Sequence, residues 1–409
     1  MKAIFLTLVT KRLHLVNSLS KSLILSFMRQ FVFIYAFIMC LSFAPNCAAQ
    51  FSVANIADKV IDAFSGTIEQ DSGAYPISWV VAPLIAYSPE TSLQLGLGSV
   101  VLFKPKRALP DDRQSTLFFA ARYTLNQQIT ASPTYIIFGR GEKFTHRGKT
   151  NFRKFPQFYY GIGNDTPETN EELYGINTLS IEHVTYRNVI GKLYAGAGFR
   201  LLRSYNLDFV EGGLLDTNMP IGTRTNTAVG IDFGLLFDNR NNLTSTTTGV
   251  LAEFHHQLHR KALGSDFNYS LTKLDLRTYW TPFAQRNDIL AWQLYTHLSF
   301  GDTPFNELAP LGGDIIMRGY YQGRYLDQKL IATQAEYRKR VWKKLSAVAF
   351  AGLGDVSPDF DSFRFDELKY SLGAGLRYAV LPEDNLNIHF DYAFGKDTQN
   401  FYINISEAF

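Results

Sequence analysis

Three sets of side chains in this sequence have the types and spacing that chemistry requires. His255-His256 with His259 would suit a metal ion, but neighbours on a strand point to opposite faces, so His255 and His256 cannot both aim at one ion. His297 and His389 could serve a hydrolase at a barrel rim. No serine stands in a recognisable nucleophile context, however, and no glycine loop is built to cradle phosphate. Catalysis, a metal and a cofactor are therefore not expected. The third set is electrostatic. Arg318-Gly319-Tyr320 sits within a long glycine-punctuated stretch, Gly301 to Arg338, with Glu336 and Arg338 on the strand that ends it. A guanidinium in a confined space needs a fixed carboxylate, and its fork-shaped donors add orientation to charge. Gly319 permits a sharp approach, and Tyr320 can pack beside it.

The elements that must position this loop are strands. Ile77–Tyr87 and Ser92–Phe103 flank the turn Ser88-Pro-Glu-Thr91, where proline presets φ. Ser115–Leu125 and Gln128–Phe138 pair about Asn126-Gln127, and a weaker strand follows over Lys143–Lys154. Leu173–Tyr186 and Lys192–Tyr205 pair about Arg187-Asn188, and Thr227–Phe237 and Gly249–Leu258 flank Asp238-Asn-Arg-Asn-Asn242. The remaining strands are Tyr269–Phe283, Ile289–Phe300, Leu326–Arg340, Leu345–Leu353, Tyr370–Val380, Leu386–Phe394 and Asn400–Phe409. Polar Asn206–Asn226 reads as a loop. Only Gln50–Gly73, with Val53, Ile56, Ala57, Val60, Ile61 and Phe64, repeats at helical spacing.

About sixteen strands of roughly ten residues, even in number, match a transmembrane barrel. Charged Lys273, Asp275, Arg277, Glu336, Arg338 and Asp391 lie mid-strand opposite aliphatic and aromatic faces. A soluble sandwich would hide its apolar faces inside; a membrane barrel turns them to lipid and keeps polar groups in a hydrated lumen.

The first 49 residues carry Lys2, Lys11, Arg12, Lys21 and Arg29, no Asp or Glu, and an apolar run from Phe31 to Phe43 before Ala44-Pro-Asn-Cys-Ala-Ala49. This is the pattern of a secretory signal peptide, starting at Met1 or at Met28. The run is shorter than the roughly 20 residues of a membrane helix, and Asn46 fits poorly before a lipidated Cys47. Cleavage before Gln50 removes both cysteines, Cys40 and Cys47, and leaves 35 Lys and Arg against 37 Asp and Glu. Such a chain has neither a disulfide framework nor an electrostatic case for nucleic acid. The expected layout is signal peptide 1–49, a short periplasmic linker or helix 50–76, and an all-β transmembrane antiparallel barrel 77–409.

The run Gly312-Gly-Asp-Ile-Ile-Met-Arg-Gly-Tyr-Tyr-Gln-Gly-Arg-Tyr325, followed by Ala335-Glu-Tyr-Arg338, resembles the bacterial surface antigen family. That family forms the barrel of outer-membrane assembly factors of the BamA and TamA type. Tyr87-Ser-Pro-Glu-Thr91, Asp238-Asn-Arg240, Gly373-Ala-Gly-Leu-Arg377, Asp391-Tyr-Ala-Phe-Gly-Lys-Asp397 and Glu407-Ala-Phe409 agree with it. The resemblance implies a sixth extracellular loop folded into the lumen, its arginine, Arg318, meeting Glu336, with Arg338, Asp355, Arg377 and Asp391 as lumen-wall candidates. Where the family reads Phe-x-Asp-x-Gly, this chain has Phe350-Ala-Gly-Leu-Gly354, so the lock would rest on Glu336 alone or borrow Asp355.

Phe409, preceded by Phe401, Ile403 and Ile405 on one face and interrupted by Glu407, resembles the terminal aromatic by which such barrels are handed to the barrel assembly machinery. Periplasmic POTRA domains are not expected. The implied place is the outer membrane of a Gram-negative bacterium, in contact with the lipid bilayer and lipopolysaccharide, and the implied role is inserting or translocating protein or lipid, the client unspecified. A passive channel or structural barrel with the loop as a constriction is the alternative.

Overall fold

The computed structural model describes residues 65–68 and 77–409, apart from 107, 110–111, 243–245, 283–287, 343, 382–385 and 406. The signal peptide expected over 1–49 lies outside the described residues. Sixteen strands follow one another round a closed antiparallel sheet. They are β1 (Ile77–Ser88), β2 (Ser92–Phe103), β3 (Ser115–Thr124), β4 (Ile129–Phe138), β5 (Phe144–Lys154), β6 (Glu172–Ile190), β7 (Leu193–Asp208) and β8 (Asn226–Asp238). The second half is β9 (Gly249–His259), β10 (Tyr269–Trp280), β11 (Ile289–Gly301), β12 (Lys329–Trp342), β13 (Leu345–Ser357), β14 (Lys369–Leu381), β15 (Leu386–Gly395) and β16 (Thr398–Ile405).

The strand period of two decides what faces where. On β8, Asp232, Leu236 and Asp238 are buried, whereas Ile231, Phe233 and Leu235 between them are 41%, 47% and 49% exposed. The same outward row continues with Leu95 and Leu97 on β2, Phe119 on β3 and Leu372 and Leu376 on β14, all exposed. Charged residues such as Arg200, Glu336, Arg377 and Asp391 are buried instead. A polar interior inside an apolar belt is the membrane-barrel arrangement. Among the described residues no helix is long and apolar enough to cross a membrane.

Several boundaries differ from the sequence reading. The described part of the helical stretch, Ser65–Ile68, is a short strand paired with Ile77–Val80 of β1. Helical periodicity there yields to Gly66 and β-branched Thr67 and to the unpaired backbone groups that a sheet edge offers. The β6–β7 turn falls at Gly191-Lys192 rather than Arg187-Asn188: Gly191 takes φ 57°, the left-handed conformation of a tight turn. A short helix, Leu214–Asn218, forms inside the polar loop before β8.

Leu326–Arg340 divides into Tyr325–Asp327, paired with Ala309–Leu311, and β12. The last strand stops at Ile405 instead of running to Phe409. Glu407 binds Arg377 at 2.7 Å and approaches Arg338 at 3.7 Å, which draws the tail into the lumen. Phe409 is consequently buried with Tyr279 and Ala291, and does not continue the row of Phe401 and Ile403.

Leu235→Arg, on the outward face of β8, is expected to cost about 2–4 kcal/mol. Urea unfolding from lipid vesicles measures it, and an unchanged midpoint would mean that this face does not meet hydrocarbon.

Candidate functional site

The segment between β11 and β12 does not stay at the rim. Its glycines let it fold inward: Gly319 takes φ 108°, and a Cβ there would lie 3.0 Å from the Phe394 carbonyl carbon. No side chain fits, so the backbone packs directly against the end of β15. This approach delivers Arg318, 1% exposed, to the centre of the lumen wall.

Arg318 divides its fork between two carboxylates, Nη2 to Glu336 Oε2 at 2.5 Å and Nη1 to Asp391 Oδ2 at 2.5 Å. The flat face of the guanidinium lies 3.5 Å above the Phe350 ring, a cation–π contact in a desolvated setting. Glu336 also accepts from Arg338 Nε at 2.7 Å. Asp391 also accepts from Arg377 at 2.5 Å, and Arg377 Nε donates to Glu407 at 2.7 Å. Arg338 Nη2 donates to Phe409 O at 2.8 Å. Three guanidiniums therefore interleave with three carboxylates, and the chain terminus closes the network.

Of the wall candidates, Arg338, Arg377 and Asp391 come together with Arg318 and Glu336; Asp355 does not. Its carboxylate binds Lys369 Nζ at 3.2 Å and Asn164 at 3.2 Å. The second acid for Arg318 is Asp391, three strands along the barrel wall from Glu336. Gly352 has another use: a Cβ there would stand 3.1 Å from Met317 Sδ, so the missing side chain makes room for the loop residue next to the arginine. Glu407, legible in the sequence only as an interruption of an apolar face, is part of the charge network. Parity hides this, because the residue lies past the end of β16.

Backbone contacts hold the tip as firmly as charge does. Gly319 N–H donates to the Tyr402 hydroxyl at 2.9 Å, and Gly319 O accepts from Asn400 Nδ2 at 2.7 Å and Thr398 Oγ1 at 2.9 Å. The Ser371 hydroxyl donates to Arg318 O. The Tyr320 hydroxyl accepts the Lys396 N–H at 2.7 Å and donates to Tyr370 O at 2.9 Å. Gln322 N–H reaches the Glu90 carboxylate in the β1–β2 turn at 2.7 Å.

A second ionic tether lies at the other end of the loop. Glu307 accepts from both terminal nitrogens of Arg200 on β7, one of the contacts measuring 3.0 Å, and Arg200 Nε donates to Glu182 at 2.9 Å. Burial alone would raise the Glu307 carboxyl, but Arg200 and Lys273 outweigh it and hold it below the usual carboxylate range.

The histidines are dispersed. His255 faces Asp232 at 3.0 Å and Glu253 at 3.4 Å inside the barrel. His256 turns the other way to Thr272 at 2.9 Å, and His259 stacks on Tyr269 with ring centroids 4.2 Å apart. His297 and His389 are both buried.

Arg318→Ala leaves Glu336 and Asp391 short of a buried partner, a loss of about 3–5 kcal/mol, and Arg318→Lys is expected to be nearly as damaging because an ammonium cannot fork to both acids. Trypsin cleavage after Arg324 in the intact barrel reads the outcome; equal protection in wild type and both variants would show that the loop is held without this network. The Glu307 tether is expected to survive mild acid. A depressed carboxylate contributes stability above its unfolded pKa, about 4.3, and loses it only as pH falls through the lower folded value. Protection at pH 5 should therefore equal that at pH 7.

A family model described as the Omp85 superfamily domain matches residues 111–409. No curated protein matches the sequence. Among solved structures, BamA from Haemophilus ducreyi lacking POTRA domains 1–3 is similar at TM-score 0.55 and 13% identity, over 80% of this chain and 70% of that one. CdiB from Acinetobacter baumannii gives TM-score 0.51 at 13% identity, over 84% of this chain and 65% of the other. CdiB from Escherichia coli gives 0.51 at 9%, over 84% and 67%. The chain thus spans about two thirds of the length of each structure, and at these identities the likeness is one of fold.

Proposed function

The chain belongs to the Omp85 superfamily and is an outer-membrane barrel, and from that premise we propose that it inserts or translocates protein or lipid through the junction of its first and last strands. One observation carries this reading. Among the described residues, β1 and β16 pair through a single residue pair, Tyr87 with Ile403. On their other sides, β1 pairs with β2 from Ser78 to Ser88, and β16 pairs with β15 from Thr398 to Ile405. A stacked Tyr87–Phe401 pair, 4.0 Å between centroids and 5° from parallel, adds to the contact. At the opposite end of β1, Ser65–Ile68 occupies the edge.

Backbone groups without partners are costly in hydrocarbon, and an open edge can accept an incoming strand. The junction is therefore where a client strand would find hydrogen bonds at the least loss. The lock residues Arg318, Gly319, Tyr320 and Glu336 keep the loop inside, so that the barrel holds its shape when the junction parts. Phe401, Ile403, Ile405 and Phe409 would form the chain's own assembly signal for the barrel assembly machinery, with Phe409 available to it before the tail folds inward. Lipopolysaccharide at the outer leaflet is the proposed surrounding lipid. This reading gives catalysis no part.

A second reading, a channel in which the loop is a permanent constriction, is favoured by the number of the loop's tethers. A disulfide separates the two. With no cysteine beyond residue 49, Tyr87→Cys with Ile403→Cys would close the junction under oxidation, and Leu95→Cys with Tyr123→Cys serves as the control across a fully paired interface. Closure is expected to deplete outer-membrane proteins or lipids in cells that depend on this protein, with recovery on reduction and no effect of the control pair. Normal membrane composition with the junction locked would defeat the insertion reading; large stable conductance in planar bilayers, unaltered by the disulfide, would establish the channel.

A further inference from the structure

The two ionic systems of the lumen are not balanced alike. Around Arg318, three guanidiniums meet three carboxylates at contact distance. On the opposite side, a partly open cavity of about 160 Å³ is lined by β5, β6, β7 and the loop residues Asn306 and Glu307. Its charged lining is Lys149, Arg153 and Arg200 against Glu182 and Glu307; Glu307 and one oxygen of Glu182 bind Arg200, and Glu182 stands opposite Lys149 in the β5–β6 register. No carboxylate stands within ion-pair distance of Lys149 or Arg153 among the described residues. Lys273 on β10 adds a further positive charge, acting on Arg200, Glu307, Glu182 and Asp232. Neighbouring wall groups Asn151, Thr178 and Ser180 offer neutral donors.

We infer that this chamber binds an oxyanion of the phosphate class, held between Lys149 and Arg153. The two cations alternate with Asn151 on β5, so the period of two points all three side chains into the same space. Arg153 rests its guanidinium face on the Phe155 ring, 4.1 Å from the centroid, which fixes the plane of its edge donors, the geometry that recognises a tetrahedral oxyanion. Lys149 is exposed to the lumen and Arg153 is half-buried, and a doubly charged oxyanion supplies the acceptors that both lack at contact distance. At roughly 30 Å³ per water, the cavity has room for a phosphate with a few waters. The phosphate is either a free ion or the head of a phospholipid whose tails lie outside the chamber, and the probes distinguish them.

The test uses the full-length protein purified in detergent, with inorganic phosphate followed by phosphorus NMR line broadening and dihexanoyl phosphatidic acid as the second probe. Saturable broadening is expected for wild type, with binding weakened at least ten-fold in Lys149→Gln/Arg153→Gln and kept within a few-fold in Lys149→Arg. Phosphate alone assigns a free ion; the lipid probe alone assigns a headgroup. A measurement without variants stands beside it: bound phosphate should shield Lys149 from acetylation while leaving exposed Lys396 reactive. No broadening with either probe, or broadening undiminished in the neutral double variant, or Lys149 acetylated at the same rate with phosphate present, would overturn the site.

Discussion

The ion pairs of Arg318 are the constraint on which the rest of this barrel is arranged. A guanidinium 1% exposed to solvent is tolerable only where acceptors have been placed for it beforehand. Glu336 on β12 and Asp391 on β15 supply them, and Arg338 and Arg377 keep those carboxylates from repelling one another. The network therefore joins the loop, both strands and the C-terminal tail into one electrostatic unit. Its geometry demands Gly319 beside Phe394 and an absent side chain at Gly352 beside Met317. Removing any member leaves a buried charge without its complement, so the unit is held together by what its loss would expose more than by the net worth of each pair.

That unit sits next to the junction of the first and last strands. β14, β15 and β16 carry Ser371, Asp391, Asn400 and Tyr402, all of which grip the loop tip or its arginine, while β16 meets β1 at one residue pair. The loop thus stiffens the last strands from within, where strand pairing does not reach.

The lumen is otherwise divided by charge. One side is neutralised by direct contact, and on the other, among the described residues, Lys149, Arg153 and Lys273 make no ion pair at contact distance. Glu307 and Arg200 mark the boundary, tying the loop to the positive side through a bridge whose carboxyl is held below the usual carboxylate range.

Barrel class, strand count and face assignment were legible in the sequence because they depend on a local period: a strand exposes alternate residues, and lipid and water sort them without reference to distant segments. Arg318 and Glu336 were legible as a pair because the family motif places them 18 residues apart on a loop and its following strand. Ends were less legible, since the Gly191-Lys192 turn and the strand at Ser65–Ile68 depend on a conformation and a neighbouring edge rather than on composition.

Asp391 rather than Asp355 as the second acid, Glu407 in the charge network and Phe409 turned inward were decided only by tertiary structure. Each requires strands far apart in sequence to be curved round a closed circumference, which sets distances across the lumen that no spacing along the chain encodes.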